Sequence, residues 1–251
     1  MAAPALSQPC LVCAQPTTNR CSACGARGEA LHFCGQEHQK LVWKNAHKLV
    51  CGKPAFEYPR LSTAEADEAK RNRLTPVGYS PDGEAGMTLT ALLRIVGKCT
   101  DDASVVRAID SVTVGSSMTH PADPSLLLIL IRGTAYRRDA PGTSTPISQL
   151  SNLDMALIEN TKLFGGVQRP WISGLRHRLL VLFALMGRSK SIAAPAGANP
   201  TSRFSEAGFS LTAQEVINAF VEEVVGKDGE DMVAKVRKAL HASYDFHVTL
   251  R

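Results

Sequence analysis

The chain has 251 residues, of which 44% are apolar and 20% charged, enough to bury an ordinary core and too apolar for an extended disordered chain. Its formal charge is +5, but the basic clusters Lys70-Arg71-Asn72-Arg73 and Arg176-His177-Arg178 are short, and such runs more often mark a solvated helix face than a nucleic-acid patch. The longest apolar runs, Leu126 to Ile131 and Leu179 to Met186, fall far short of the roughly 20 residues of a membrane span, so no membrane partner is expected.

In chain order, Met1 to Pro9 has neither a basic start nor an apolar centre, which speaks against a secretory signal and for a cytoplasmic or nuclear protein. The next segment concentrates metal-ligand side chains: Cys10, Cys13, Cys21, Cys24, Cys34, His38, His47 and Cys51. Thiolates and imidazoles suit zinc, and eight of them complete two tetrahedral sets with no position left for a metal-bound water. Such metals are structural rather than catalytic. The two CxxC pairs read as tight knuckles, whereas Cys34 with His38 and His47 with Cys51 each sit four positions apart, on one face of a helical turn. Pairing the knuckles in sequence order is one division of the ligands. The alternating division, with the first knuckle joined to Cys34 and His38, ties distant segments together and is favoured. Disulfides would not account for two histidines in ligand register.

The run Phe33-Cys34-Gly35-Gln36-Glu37-His38-Gln39-Lys40-Leu41-Val42-Trp43, followed by His47-Lys48-Leu49-Val50-Cys51, resembles a MYND-type zinc finger over residues 10 to 51. The resemblance implies cross-braced sites, Cys10, Cys13, Cys34 and His38 for one zinc and Cys21, Cys24, His47 and Cys51 for the other. It also implies recognition of short proline-containing peptides, with Gln39 and Trp43 at the contact positions. Three departures stand out: His38 where Cys is usual, Gly35 where Ser is frequent, and nine residues between Cys24 and Cys34, more than is typical. Two zinc ions bound by six thiolates would also lower the net charge to about +3, a weak attraction for phosphate.

Residues 52–82 hold Pro54, Pro59, Pro76 and Pro81 around an Ala-rich charged segment, Ser62 to Arg73, and read as a linker with one short helix. Residues 83–251 are expected to form a predominantly helical domain. Met87 to Val96 and Ala103 to Val112 have helical spacing. Leu126 to Ile131 is a buried strand or the middle of a buried helix, with helix preferred. Asn152 to Phe164 and Leu175 to Met186, each stopped by glycine, read as core helices. Ala140 to Pro146 and Ala193 to Ser205 read as loops. Thr212 to Glu215 has capping-box spacing before a stripe ending at Gly226, and Asp231 caps a further helix. Tyr244 to Leu250 alternates as a strand would.

The expected fold is therefore mainly α, a zinc-braced finger with a short hairpin followed by helices and a possible terminal strand. No nucleophile elbow, phosphate loop, dinucleotide fingerprint or HExxH helix occurs. Cys99 reads as a buried structural thiol, and His120, His177, His241 and His247 as surface or satisfied core residues. The leading expectation is a zinc-binding adaptor or regulatory protein that contacts a protein or proline-containing peptide. A lysine methyltransferase of the SET type with the finger as an accessory is the alternative, and a nucleic-acid-binding finger a lesser one.

Overall fold

A computed structural model describes residues 7–29, 31–53, 57–76, 87–136, 154, 158, 170–191, 218, 222, 224–226, 228–232 and 234–235. Among these the chain is mostly helical, with one two-stranded hairpin close to the N-terminus, as the sequence pattern led us to expect. The chain divides into two compact units, residues 1–56 together with 152–251, and residues 57–151.

In the first unit, β1 (Gln8–Pro9) and β2 (Pro16–Thr17) pair antiparallel, Gln8 opposite Thr17 and Pro9 opposite Pro16. Their connection is the first knuckle. It closes through hydrogen bonds from Ala14 N to Cys10 O and Cys10 N to Gln15 O, both 2.9 Å, and needs a left-handed Ala14 with φ 58°. The second knuckle is a single turn, α1 (Ser22–Gly25). A returning segment then bonds back across both knuckles, with Leu11 N to His32 O at 3.0 Å and Cys21 N to Leu31 O at 2.9 Å. Residues 36–50 form one helical stretch: α2 (Gln36–Val42), a π-helical turn (Trp43–His47) and α3 (Lys48–Val50). Leu11, Val12, Leu31, Phe33, Val42, Ala46 and Val50 fill the small interior between these pieces.

The same unit contains α8 (Pro170–Ser191). From Trp171 to Leu185 it is buried on every face, only Arg176 and Ala184 being partly accessible. A helix covered all round must be central to its unit, and α2 and the π turn pack against it. The basic triplet expected on a solvated face is instead largely interior. His177 and Arg178 are buried, and Arg176 pairs with the buried Asp154 at 3.1 Å. Local charge density misleads here because the partners lie far away in sequence. Gly187 does not end the helix, which runs on to Ser191. One helical glycine costs only about 1 kcal/mol, less than the apolar stretch before it contributes. Trp171 Nε1 donates to Asp228 Oδ2. Residues 224–226 and 228 are helical, and the chain turns at Gly229, φ 79°, rather than at Gly226. Asp231 lies within helical backbone. The expected strand at 244–250, the capping box at 212–215, the loops at 140–146 and 193–205, and all of the helix at 152–164 except positions 154 and 158 lie outside the described residues.

The second unit is built from α4 (Thr63–Asn72), α5 (Leu89–Ile95), α6 (Asp102–Ser111) and α7 (Pro124–Tyr136). All four have side-chain caps. Ser62 and Glu65 form a reciprocal capping box on α4, Asp101 and Ser104 do so on α6, and Thr88 caps α5. Pro124 opens α7 where its missing N–H costs nothing, and Asp123 accepts from the amides of Ser125 and Leu126. All six residues from Leu126 to Ile131 are buried in that helix. Periodicity could not separate helix from strand there because no face is polar.

One charge lies at the end of this apolar run. Arg132, with its side chain 7% exposed, reaches Glu65 Oε1 at 3.1 Å, Pro59 O at 2.8 Å and Arg60 O at 3.4 Å. It thereby joins the segment before α4, α4 itself and α7. A buried guanidinium is tolerable only with its donors engaged, and these acceptors do that. Leu61 adds a backbone tie, accepting from Val114 N at 2.8 Å and donating to Val112 O at 2.9 Å. Burial disfavours the ionised Glu65, but Arg132 and the Ser62 hydrogen bonds outweigh it and hold the carboxyl below its usual range. A depressed folded-state value means that this stabilisation is complete above the unfolded value of about 4.3 and fades as the pH falls through the folded one. Glu65→Gln keeps the cap and removes the charge. At pH 7 it should lower the opening free energy of α4 and α7 amides, read by hydrogen exchange, by about 1 kcal/mol, since water still reaches part of the carboxylate. The difference between the two proteins should shrink toward zero below about pH 4.

Candidate metal centre

The helical stretch 36–50 faces two ways. His38 and His47 are nine positions apart, about two and a half turns, so a single rod presents them on opposite sides. Each then meets a neighbour four residues away, Cys34 before α2 and Cys51 after α3. Two groups of four result, Cys10, Cys13, Cys34 and His38, and Cys21, Cys24, His47 and Cys51, each with its ligand atoms within 4.8 Å of one another. The knuckles therefore alternate in the structure. Each joins the second ligand pair after it in sequence.

The spacing of the ligand atoms tests what they could hold. In the first group Cys13 Sγ lies 3.6 Å from Cys34 Sγ, and His38 Nδ1 lies 3.5 Å from Cys10 Sγ and 3.0 Å from Cys34 Sγ. In the second, Cys21 and Cys51 sulfurs are 3.5 Å apart and those of Cys24 and Cys51 3.9 Å, with His47 Nε2 at 3.3 Å from Cys21 and 3.8 Å from Cys24. Ligands at about 2.3 Å (sulfur) and 2.0 Å (nitrogen) from one tetrahedral ion would stand roughly 3.5 to 3.8 Å apart. The separations, 3.0 to 3.9 Å, bracket that edge length, and those between sulfurs exceed by far the roughly 2.05 Å of a disulfide. All seven cysteines are free thiols.

Proton chemistry points the same way. Burial, reinforced by neighbouring thiols, pushes Cys34 up to about 12 and also raises Cys24 and Cys51. Cys10 goes the other way: backbone amides, of Cys34 foremost, overcome its burial and lower it. Several thiolates cannot share so small a volume unaided. A divalent cation would reverse the balance, because the thiols it binds release their protons to solvent and their charge is met by the ion. His47 is fully buried, and burial together with the adjacent His177 lowers it to about 4, keeping it the neutral imidazole a metal needs.

The two groups differ in setting. Cys13, Cys34 and His38 are half-buried, whereas Cys21, Cys24 and His47 are buried and lie on the side of α8. There the loop between Cys24 and Cys34 sends Glu29 inward. Glu29 Oε2 is 2.5 Å from His177 Nδ1, and Ser173 Oγ donates to Glu29 Oε1. Burial opposes ionisation of Glu29, yet the His177 and Ser173 hydrogen bonds hold its carboxyl low. His177 Nδ1 also lies 3.1 Å from Ser173 O, and its Nε2 lies 3.2 Å from Val50 O. The serine hydroxyl thus donates to the carboxylate, while the imidazole faces the serine's backbone carbonyl. Sequence reading missed Glu29, Ser173 and His177 as a group. The one signal was the nine-residue spacer.

Of the two residues singled out for peptide contact, Trp43 is 36% exposed with its ring 5.5 Å from that of His47, and Gln39 is half-buried one turn earlier. In the second unit Cys99 is buried and its thiol donates to the carbonyls of Gly97 and Ser104. Burial raises it, and it is no activated nucleophile although His120 Nε2 stands 3.8 Å away.

No helix among the described residues is long and apolar enough to cross a membrane. No family description and no solved structure matches the chain. Among curated proteins it is similar to ubiquitin carboxyl-terminal hydrolase 17 of Arabidopsis thaliana, 32% identical over 66 residues that make up 26% of this chain and 8% of that protein. The chain thus spans less than a tenth of the curated relative it matches.

Proposed function

We propose that the chain is a zinc-binding adaptor or regulatory protein whose N-terminal module, residues 10–51, is a MYND-type finger. What carries this reading is the division of eight ligands into two sets of three thiols and one imidazole with tetrahedral edge lengths. Neither set leaves a side open for substrate, so the ions brace the fold. Between them they replace the core that so few apolar residues cannot supply.

Zinc in such peptides contributes roughly 10 to 16 kcal/mol of apparent binding energy at neutral pH, which in a module this small is its folding energy. Metal analysis of the purified chain should give two zinc ions, and a strong chelator should unfold residues 10–51 while much of the helical signal of residues 57–136 persists. One ion per chain, or none, would refute the two-site reading.

The partner we assign to the finger is a protein segment containing proline, in the cytoplasm or nucleus. Support comes from the π turn. It leaves the Trp43 indole partly in solvent beside a metal ligand, with Gln39 one turn away to offer an amide to a peptide backbone. A rigid aromatic wall held by a metal-braced scaffold suits the ring of a proline in an extended peptide. A peptide ordered on so small a surface binds weakly, with Kd on the order of micromolar to hundreds of micromolar. Trp43→Ala should weaken binding to a panel of proline-containing peptides tenfold or more while keeping both zinc ions. Equal binding by the variant, or no binding by the wild type, would leave the finger as a structural brace only.

A further inference from the structure

We propose that the outward ridge of residues 36–50 docks an acidic peptide segment, carboxylates at alternate positions of an extended chain meeting Lys40, Lys44 and Lys48 while a proline between two of them rests on Trp43. The inference builds on the peptide reading above and names the residues that flank the proline.

Lys40, Lys44 and Lys48 stand four positions apart, in α2, in the π turn and at the start of α3. That spacing sets them on one face. The π turn, with more residues per turn than an α-helix, brings Lys48 back toward the line of Lys44. Val42, Ala46 and Val50 lie two positions after each lysine, about 200° around the helix. They are buried in the finger, whereas all three lysines are exposed, so the lysines form the ridge opposite the core. α8 packs against the same stretch and leaves that ridge open. Trp43, 36% exposed, comes three positions after Lys40 and directly before Lys44, which places it on the flank of the ridge.

The charge of this surface is one-sided. Glu37, in the first turn of α2, is the sole acidic residue of the sequence from 36 to 50. Among the described residues none of the three lysines has an ion-pair partner. Like charges at i and i+4 weaken a helix, and Lys40 with Lys44 and Lys44 with Lys48 repeat that penalty. An anion from outside the chain relieves it. Four helical residues advance about 6 Å, and alternate residues of an extended chain stand about 6.6 Å apart. A peptide lying between the ridge and the indole therefore turns every second side chain to a lysine. The residue between the first two carboxylates turns to Trp43, which stands between Lys40 and Lys44 along the axis.

The test uses the full chain loaded with zinc and the peptide Glu-Ser-Glu-Pro-Glu-Ser-Glu, which presents the same pattern in either direction, beside a copy with Gln for each Glu. An exposed ion pair is worth roughly 1.5- to 5-fold in affinity, so three should make the acidic peptide bind about tenfold tighter at about 0.01 M ionic strength. The advantage should fall below about threefold at about 0.5 M, where charges are screened within a few ångströms. The combined variant Lys40→Gln, Lys44→Gln and Lys48→Gln should lose the advantage, bind the Gln peptide as the wild type does and keep its zinc. Equal binding of the two peptides by the wild type overturns this inference and, provided that both need Trp43, leaves the proline reading standing. An advantage that survives in the triple variant also overturns it. Binding of neither peptide, or unchanged binding when alanine replaces the proline, overturns the peptide reading as well. A single-stranded oligonucleotide of equal charge held more tightly than the acidic peptide overturns the assignment of the ridge to a protein segment.

Discussion

Sulfur atoms 3.5 and 3.6 Å apart can ionise together only around a cation, and the whole N-terminal module depends on that balance. The hairpin is two residues long on each side, α1 is one turn, and the apolar interior amounts to seven side chains. None of these persists alone in water. Placed at the knuckles and beside both ends of one helical stretch, the ligand sets would, with an ion in each, tie weak local structures to one another. Because the sets alternate along the chain, neither half of the module can complete its metal without the other.

Each unit also carries a buried basic side chain on a helix of its core, and they use it alike. Arg132 in α7 reaches the carbonyls of the segment before α4 and the carboxylate of Glu65. His177 in α8 reaches the carbonyl of Val50 and the carboxylate of Glu29. Apolar faces of similar shape can slide or rotate against one another at little cost, whereas a buried polar atom that misses its acceptor loses about 1 to 3 kcal/mol. These groups fix register rather than supply the main stabilisation, which comes from the burial of residues such as Leu127, Ile129, Leu175 and Leu182 around them.

How much of this was legible in the sequence follows from the range of each interaction. The four-residue steps from Cys34 to His38 and from His47 to Cys51 are local, although Cys34 precedes α2 across an extended Gly35 and Cys51 follows α3, so only the two histidines stand in helical backbone. Caps at Ser62 and Asp101 begin α4 and α6 and are equally local, although neither was singled out from the sequence. Residues 126–131 could not be decided because a segment buried on all faces has no polar phase to read. Arg176 to Arg178 misled for the opposite reason. A run of three basic residues looks solvated unless Asp154 and Glu29, distant in sequence, are known to be its neighbours. Glu29 itself sits in what looked like a mere spacer, and only the unusual length of that spacer hinted at a task.

The bond between Val50 and His177 spans 127 positions of chain. At a synthesis rate of roughly 5 to 20 residues per second, about 6 to 25 s separate the appearance of the metal ligands from that of the helix they rest against. During that interval the Glu29 carboxylate has neither Ser173 nor His177 to receive it. An inward acid without its partners keeps its water, so the loop that carries it has no reason to settle early. Burial of Glu29 therefore waits for α8, the last of the pieces it touches to be made.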